Sequence, residues 1–452
     1  MPSEYLSGSG VEEMKEDVRV LFTSPYGTKE FDFFGHHTRS DLAIQMSQPR
    51  IMYPGLRFIK QNFPQVEILE FPSWEQFTDV LTRGWDIVGF SFFSDQTNEI
   101  LRMADYARKA GVRELWAGNY GALNPLIENT FDKVFIGYAE DQIAGELGTK
   151  TEELIHPPLM DSIGVKPIGS PLIQAGWLYT SRGCPMKCTF CQTPAFAPKF
   201  VETPIDSIER VLRYYKEHDV QMVLIYDEIF GVARDHAREV VSLLRKHDLL
   251  WVVTTRLDIL GKNLDEWHEN GMVAVSTGIE SMNPTTLEDI QKRLTIETAT
   301  EVINRLHRRN IAVIGSYIIG FEGDTVESVK RDFRRLRRLK PDFMKLFVAT
   351  PFPESVLWAQ IQQEYGIDTS DWSKFDAKHL VWNHPQLTRE DVQTLLEYGY
   401  DLFNSEQHVL NILSKIKHRL IEHRGPLGAH RFFLASANNR LHGETGGLHF
   451  FD

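Results

Sequence analysis

The sequence predicts an α/β chain built from two successive sets of strand–helix units and a C-terminal helical region. Three observations predict it. Short apolar, β-branched runs alternate with amphipathic patterns of helical period, the arrangement that builds parallel sheets. The alternation stops and restarts across a proline-rich stretch, HPPLMDSIGVKPIGSP (156–171), which reads as a linker. After about residue 366 the strand-like runs cease. Helical periodicity then carries on through LTREDVQTLLEYGYDLFN (387–404) and a continuing helix to His423. The expected boundaries are 1–145 for the first α/β domain, 146–172 for the linker, 173–365 for the second domain and 366–452 for the helical region.

The first set opens with VRVLFTSPYG (18–27). It continues through VEILEFP (66–72), WDIVGFSFFSD (85–95), ELWAGNYGA (114–122) and KVFIGYAED (133–141), with a helical pattern at TNEILRMADYARKAG (97–111). This pattern describes a doubly wound sheet, which binds ligands at the C-terminal ends of its strands. Gly118, Gly121 and Gly137 fall at those ends, where glycine lets a ligand approach the backbone.

The second set has six strand runs: WLYTS (177–181), MVLIYD (222–227), WVVTTRLD (251–258), MVAVSTGIE (272–280), AVIGSYIIGF (312–321) and FMKLFVAT (343–350). Helical patterns at 206–218, 235–247, 297–309 and 325–340 separate them. Six strands are too few to close a barrel of eight, leaving a lateral opening for a substrate. Polar residues gather where the strands end. They are Asp227 and Glu228; Arg256 and Asp258; Gly278, Glu280 and Ser281; Ser316 and Gly320. Charged groups ending an apolar strand are costly to bury unless they meet a polar ligand. Six basic residues in RDFRRLRRLK (331–340) read as the solvated face of a barrel helix.

The 3 cysteines fall within eight residues, as Cys184, Cys188 and Cys191. An odd number excludes a complete disulfide framework. Gly183 and Pro185 bend the backbone so that three thiolates can converge. Structural zinc asks for four protein ligands, and a fourth cysteine does not exist. A four-iron cluster held by three thiolates keeps one iron open for a substrate or cofactor. The net charge of −13 argues against sequence-independent nucleic-acid binding. No apolar run approaches the ~18–20 residues of a membrane span. The polar, acidic start is unlike a secretory or transit signal, so a cytoplasmic protein is expected.

C-x3-C-x-aromatic-C, with Phe190 as the aromatic, resembles the signature of the radical S-adenosylmethionine (SAM) superfamily. That resemblance implies a partial (β/α)6 barrel with a 4Fe-4S cluster on the three cysteines and SAM chelating the open iron. YDEIF resembles the family's acidic motif for the SAM amino group (Asp227, Glu228). GIES resembles the fourth-strand motif (Gly278, Glu280, Ser281), and SYIIGF the fifth-strand segment lining the adenine (Ser316, Gly320). Phe190 and Arg256 join the implied SAM site. TPFPES (350–355) resembles a family turn, with Glu354 in place of the usual glycine.

The first domain resembles the Rossmann-like cobalamin-binding domain of one class in this superfamily. The matching stretches are YPGLRFIKQNFPQVEILEFP, the serine-bearing strand DIVGFSFF, the glycine turn and GYAED. The implied cobalamin contacts are Ser91, Ser94, Gly118, Tyr120, Gly121, Gly137, Tyr138 and Glu140. The D-x-H-x-x-G motif that supplies a lower axial histidine is absent, since His36 and His37 follow DFFG. Cobalamin is therefore expected without a protein histidine on cobalt. The combined resemblance runs from about residue 15 to 365.

It implies an enzyme that cleaves SAM to a 5′-deoxyadenosyl radical and C-methylates an unactivated carbon of a small molecule. An electron donor such as flavodoxin or ferredoxin would serve it. A cyclase, rearranging or carbon–carbon-coupling enzyme of the same class stays open, as does a radical SAM enzyme whose first domain is only a docking module. The helical region resembles that branch's substrate cap. The glycine- and histidine-bearing tail (His430, His442, His449) reads as a flexible or substrate-covering segment.

Overall fold

The computed structural model describes residues 18–27, 37–39, 41–47, 53–150, 153–166, 169–422, 425 and 451. His36 and the tail histidines lie outside them. The strands in chain order are β1 (Val20–Thr23), β2 (Gln45–Ser47), β3 (Glu67–Leu69), β4 (Ile87–Ser91), β5 (Glu114–Gly118), β6 (Lys133–Val134), β7 (Leu159–Lys166) and β8 (Gly169–Leu178). They continue with β9 (Ser181–Arg182), β10 (Val201–Glu202), β11 (Met222–Ile225), β12 (Leu250–Thr254), β13 (Met272–Glu280), β14 (Ala312–Ile319) and β15 (Phe343–Val348).

In the N-terminal region a parallel sheet runs β3-β1-β4-β5-β6. Both faces are covered, so the strands read as continuous apolar runs rather than alternating ones. The chain leaves β1 toward one edge and returns to the other, which makes β1/β4 the switch point where such sheets open a crevice. Helix Thr97–Lys109 buries Ile100, Met103, Ala104 and Ala107 on one face, the spacing that 3.6 residues per turn requires.

The second sheet holds β8, β11, β12, β13, β14 and β15 as consecutive parallel neighbours, which are the six strands of a partial barrel. Helices 205–217, 234–246, 257–269, 296–308 and 326–339 connect or flank them. In the last of these, Arg331, Arg334, Arg335, Arg337, Arg338 and the following Lys340 are exposed while Val329, Phe333 and Leu336 are buried.

Three elements differ from the sequence expectation. The proline-rich stretch is not a plain connector. β7 pairs antiparallel with β8, and β2 pairs antiparallel with β7, so both extend the barrel sheet at its first edge. The run WVVTTRLD stops being a strand at Thr254, because Arg256 already caps the helix Leu257–Glu269.

The long C-terminal helix breaks after Phe403. Buried Asn404 donates through Nδ2 to the carbonyls of His37 (2.6 Å) and Met344 (2.7 Å), and accepts from the Met344 amide at 2.9 Å. The helical stretch 406–422 then runs under the N-terminal ends of the barrel strands. Its Val409, Ile412, Ile416 and Leu420 pack on Ile173, Met222, Leu250, Ala312 and Phe343. This part of the region expected to cap the substrate therefore seals the end of the barrel opposite the site. Its apolar residues recur at one-turn spacing and pack against the apolar strand beginnings.

Candidate functional site

The cysteine loop follows β9. Gly183 sits at φ +82°, and a Cβ there would come within 2.2 Å of the Lys199 carbonyl oxygen, so only glycine fits. The loop is tied down on two sides. The Thr189 amide donates to Ile290 O at 3.1 Å, and the Leu357 amide to Thr189 O at 2.9 Å. Gln192 Nε2 donates to Pro353 O at 2.9 Å. Phe190 packs edge-on against Phe321 at 6.0 Å, in a small apolar cluster with Ile290 and Ile318. The aromatic of the motif thus seats the loop. Nearby, Glu354 takes φ +65°, so the turn keeps the conformation glycine would favour at the cost of strain.

Cys184, Cys188 and Cys191 are half-buried free thiols. Burial pushes Cys184 up to about 11 and raises Cys188 too, although Lys292 and Arg256 oppose the latter shift. Among the described residues no three of His, Cys, Asp and Glu converge on a single ion. Three thiols in one loop, with no fourth cysteine in the chain, fall short of the four protein ligands of structural zinc. The set suits a cluster in which each thiolate takes its own iron and gives up its proton on binding. The donor set therefore fits the 4Fe-4S cluster that this loop implies.

Around the loop stand the ends of the barrel strands. Between Gly278 and Glu280 the pairing of β13 with β14 shifts register, and Glu280 takes φ +66°. The shift turns its carboxylate inward, where Lys292 Nζ donates to Oε1 at 2.9 Å and Ser316 Oγ to Oε2 at 3.1 Å. A Cβ at Gly278 would lie 1.8 Å from Glu280 Oε1 and 2.5 Å from Lys292 Nζ. Arg256 donates from Nε to Asp258 Oδ1 at 2.9 Å and from Nη2 to the Lys292 carbonyl. Gly278, Glu280, Ser316 and Arg256 thus form one network through Lys292.

Ser281 and Gly320 stand apart from that network. The Ser281 hydroxyl donates to Asp332 at 3.3 Å and accepts from the Asn283 amide at 3.0 Å. Gly320, at φ +89°, donates its amide to Asp324 at 2.9 Å.

Asp227 and Glu228, though adjacent, do different work. Asp227 is 2% exposed and accepts from the Thr180 amide (2.7 Å), Thr180 Oγ1 (2.5 Å) and Ser181 Oγ (2.7 Å). Burial pushes it up to about 7 against those hydrogen bonds. It braces the turn that launches the cysteine loop. Glu228 faces the other way, accepting from the Gly183 amide at 3.1 Å and from the Tyr138 hydroxyl of the N-terminal region. Burial, with Glu228 beside it, holds the Tyr138 phenol well above its ordinary range.

Tyr138 belongs to a second set of sequence candidates, and these meet the barrel directly. A cavity of about 480 Å³ is lined by Ser91, Gly118, Tyr120, Gly137, Tyr138 and Glu140 from one side. Asp227 and Glu228 line it from the other. Tyr120 stacks on Phe196 at 4.1 Å and shares a hydrogen bond with Thr193 at 3.0 Å. Glu140 accepts from Arg182 Nη1 at 2.9 Å.

Gly118 opens on empty space, with nothing within 4 Å of a Cβ placed there. Ser94 is buried with no partner for its hydroxyl among the described residues, and it does not line the cavity. Gly121 is a packing glycine, since its Cβ would lie 2.3 Å from the Phe92 ring. An open glycine edge with neutral hydroxyl and aromatic walls fits a large, flat, amide-bearing group such as the implied cobalamin. No histidine lines the cavity, and His37 instead packs on Phe347 at 5.0 Å.

Three site residues escaped the sequence reading. Arg182 lies over Phe58 (4.3 Å) and Tyr138 (4.4 Å), with its Nε buried and unpartnered among the described residues. Its position two residues before Cys184 was the available signal. Lys292 sits outside every motif quoted above, and only the fold brings it to Glu280. Lys345, on the inward face of β15, donates from Nζ to Ser276 Oγ at 2.8 Å and lines the same cavity. A lone lysine in the apolar run FMKLFV pointed to it. No helix of the described residues is long and apolar enough to cross a membrane.

Residues 178–336 match the family model described as the radical SAM superfamily. An uncharacterized methyltransferase of Pyrococcus horikoshii is 27% identical over 243 residues, 52% of each chain. The anaerobic magnesium-protoporphyrin IX monomethyl ester cyclase of Rubrivivax gelatinosus is 29% identical over 202 residues, covering 43% of this chain and 36% of that one. The chain thus spans about half or less of the length of these curated relatives. Among solved structures, the radical SAM methyltransferase TsrM from Kitasatospora setae, with cobalamin and a 4Fe-4S cluster bound, superposes with a TM-score of 0.60. It is 13% identical, over 94% of this chain and 100% of that one.

Proposed function

We propose that this protein, whose barrel belongs to the radical SAM superfamily, is a cobalamin-dependent enzyme that C-methylates an unactivated carbon of a small molecule. One observation carries the reading. A single cavity joins the strand ends of the N-terminal sheet to the barrel ends beside the three cysteines, so a carrier on one side and a radical source on the other would share one substrate. When bound, the cluster and SAM supply a carbon-centred radical and the corrin carries the methyl group.

The chain's own residues do the rest. Cys184, Cys188 and Cys191 would each hold one iron. Glu228, Glu280, Arg256 and Ser316 would meet the polar groups of SAM, and Lys292 keeps the Glu280 carboxylate in place. Asp227 positions the loop. Ser91, Gly118, Tyr120, Gly137 and Tyr138 would take the corrin, and the aromatic walls exclude water. Phe190 and Gly121 support these groups by packing, Gly320 through its amide, and Ser281 and Glu140 through side-chain hydrogen bonds to Asp332 and Arg182, while Ser94 stands off the cavity. A flavodoxin- or ferredoxin-type donor in the cytoplasm would deliver the electron. The methyltransferase names of the Pyrococcus relative and of TsrM support the transfer of a methyl group. The match to the cyclase favours one second reading, oxidative ring closure at the same site.

The test is anaerobic reconstitution with iron, sulfide and hydroxocobalamin, followed by desalting and measurement of metals and absorbance. Cobalt near one per chain with about four irons supports the proposal. Iron without cobalt removes the methyl carrier and with it the methyltransferase reading.

A further inference from the structure

Lys345 occupies a place that packing alone does not explain. In β15 its neighbours Met344 and Leu346 turn outward into the main core, and the strand's two-residue period turns Lys345 inward. Its surroundings on the barrel floor are Leu224, Val252 and Ile314, with Ser276 and Thr254 as the nearby hydroxyls. An ammonium among aliphatic side chains is costly, and burial brings the amine down to about 8. Its Nζ donates to Ser276 Oγ at 2.8 Å, and Glu280 acts on it electrostatically. The amine lines, toward the sealed end of the barrel, the same cavity that Asp227 and Glu228 line at the strand ends.

We propose that Lys345 and Ser276 bind a carboxylate of the substrate, an otherwise apolar acid whose acid end sits on the barrel floor and whose reacting carbon lies toward the strand ends. This rests on the enzyme reading above and adds the substrate's class. The ammonium supplies charge and donors, Ser276 a further donor, and the aliphatic wall the space for a hydrocarbon or aromatic body. A charge-assisted hydrogen bond in a site of low polarity discriminates strongly against a neutral isostere.

The experiment is calorimetric binding of two shape-matched pairs to the full chain, reconstituted with iron and sulfide. The pairs are naphthalene-2-carboxylate with naphthalene-2-carboxamide, and octanoate with octanamide. The acid is expected to bind at least about 10-fold better than the amide at pH 7. Above about pH 8, where the amine loses its proton, acid affinity should fall about tenfold per pH unit. The other titratable groups lining the cavity are Asp227, Glu228, Glu140, Arg182 and four tyrosines, Tyr120, Tyr138, Tyr179 and Tyr226, whose phenols burial raises above their ordinary range. Glu280 acts on Lys345 from outside the lining.

Ionisation of Asp227 near 7 also repels an acid, and Lys345→Arg separates the two effects. It keeps the preference and the Asp227 limb but loses the limb near 8. Lys345→Met should bind acid and amide alike. Equal binding of both pairs by the unaltered protein, failure of both acids to bind, or a preference surviving in Lys345→Met overturns the proposal. If Lys345→Met fails to fold, the unaltered protein's pH profile and a several-fold loss of acid affinity in Ser276→Ala decide it. SAM cleavage by the same unaltered preparation reports on the enzyme reading separately. Acid preference without cleavage leaves this inference standing and that reading fallen, and cleavage without preference does the reverse.

Discussion

The two ends of the barrel are made by the same six strands and look nothing alike. Where the strands begin, Ile173, Met222, Leu250, Ala312 and Phe343 meet the apolar stripe of residues 406–422. Lys415 closes the rim by donating to Asp342 at 2.7 Å, and Asp342 in turn accepts from the Val313 amide. Where the strands end, buried charges cluster in pairs, Glu280–Lys292 and Glu140–Arg182. Asp227 and Glu228 add two more carboxylates at this end, lining the cavity with Glu140 and Arg182. One end holds the barrel together by removing apolar surface from water, each buried aliphatic side chain contributing about 1.5–3 kcal/mol. The other keeps polar groups in positions that cost stability unless a ligand meets them. The site is located by that cost.

Removing any one thiol should break the comparison at its functional end alone. Cys188→Ala is expected to lose iron and drop SAM cleavage to background, with the thermal midpoint of the metal-free chain unchanged. Metal analysis beside a melt checks both. Glu280→Gln leaves the buried Lys292 ammonium without its carboxylate and should cost about 3–5 kcal/mol. The double change Glu280→Gln with Lys292→Met should cost less than the sum of the two singles. A denaturant series reads this coupling.

At the sealed end, Leu420→Ala opens a cavity in a fully buried position and should cost about 2–5 kcal/mol. Iron content and SAM binding should stay as they were, since the site is at the far end.

A pH-dependent effect follows from Asp227. Its carboxyl takes a proton more readily in the folded chain (about 7) than at its ordinary 3.8. The folded state therefore binds more protons between those values. The stability it contributes is present below about pH 4 and is lost as pH rises to about 7, by at most about 1.4 kcal/mol per unit. Asp227→Asn should flatten that slope in melts taken from pH 4 to 8. The smallest change is expected on the outer helix, where Arg337→Ala should stay within about 0.5 kcal/mol. A larger loss would mean the exposed arginines do more than solvate that face.

Much of this was legible in the sequence because strand and helix periods are local. Five of the barrel strands, the cysteine loop and the arginine face follow from spacing alone, whereas the first strand, expected at 177–181, runs from Gly169 to Leu178 out of the stretch read as a linker. Asp227 and Glu228 were legible as a pair but not as two roles, because only the fold turns one into the Thr180–Ser181 turn and the other toward Tyr138. Ser281 read as a ligand-facing group, yet its hydroxyl is taken up by Asp332, fifty-one residues on. The break at Asn404 was invisible because helical propensity continues through it. It is a buried amide serving two backbone carbonyls from distant segments that ends the helix.

The sequence by itself determined the chemistry on offer, since three cysteines at that spacing bring three thiolates into one loop whatever surrounds them. It also determined the two βα series, because their periodicity is written residue by residue. Only the tertiary structure decided that the N-terminal sheet faces the barrel mouth across one cavity. It alone decided that Arg182, Lys292 and Lys345 enter the site, and that residues 406–422 seal the opposite end. Those outcomes depend on which surfaces remain unburied once the local elements have formed, and that is settled by long-range packing and the cost of leaving charge without a partner.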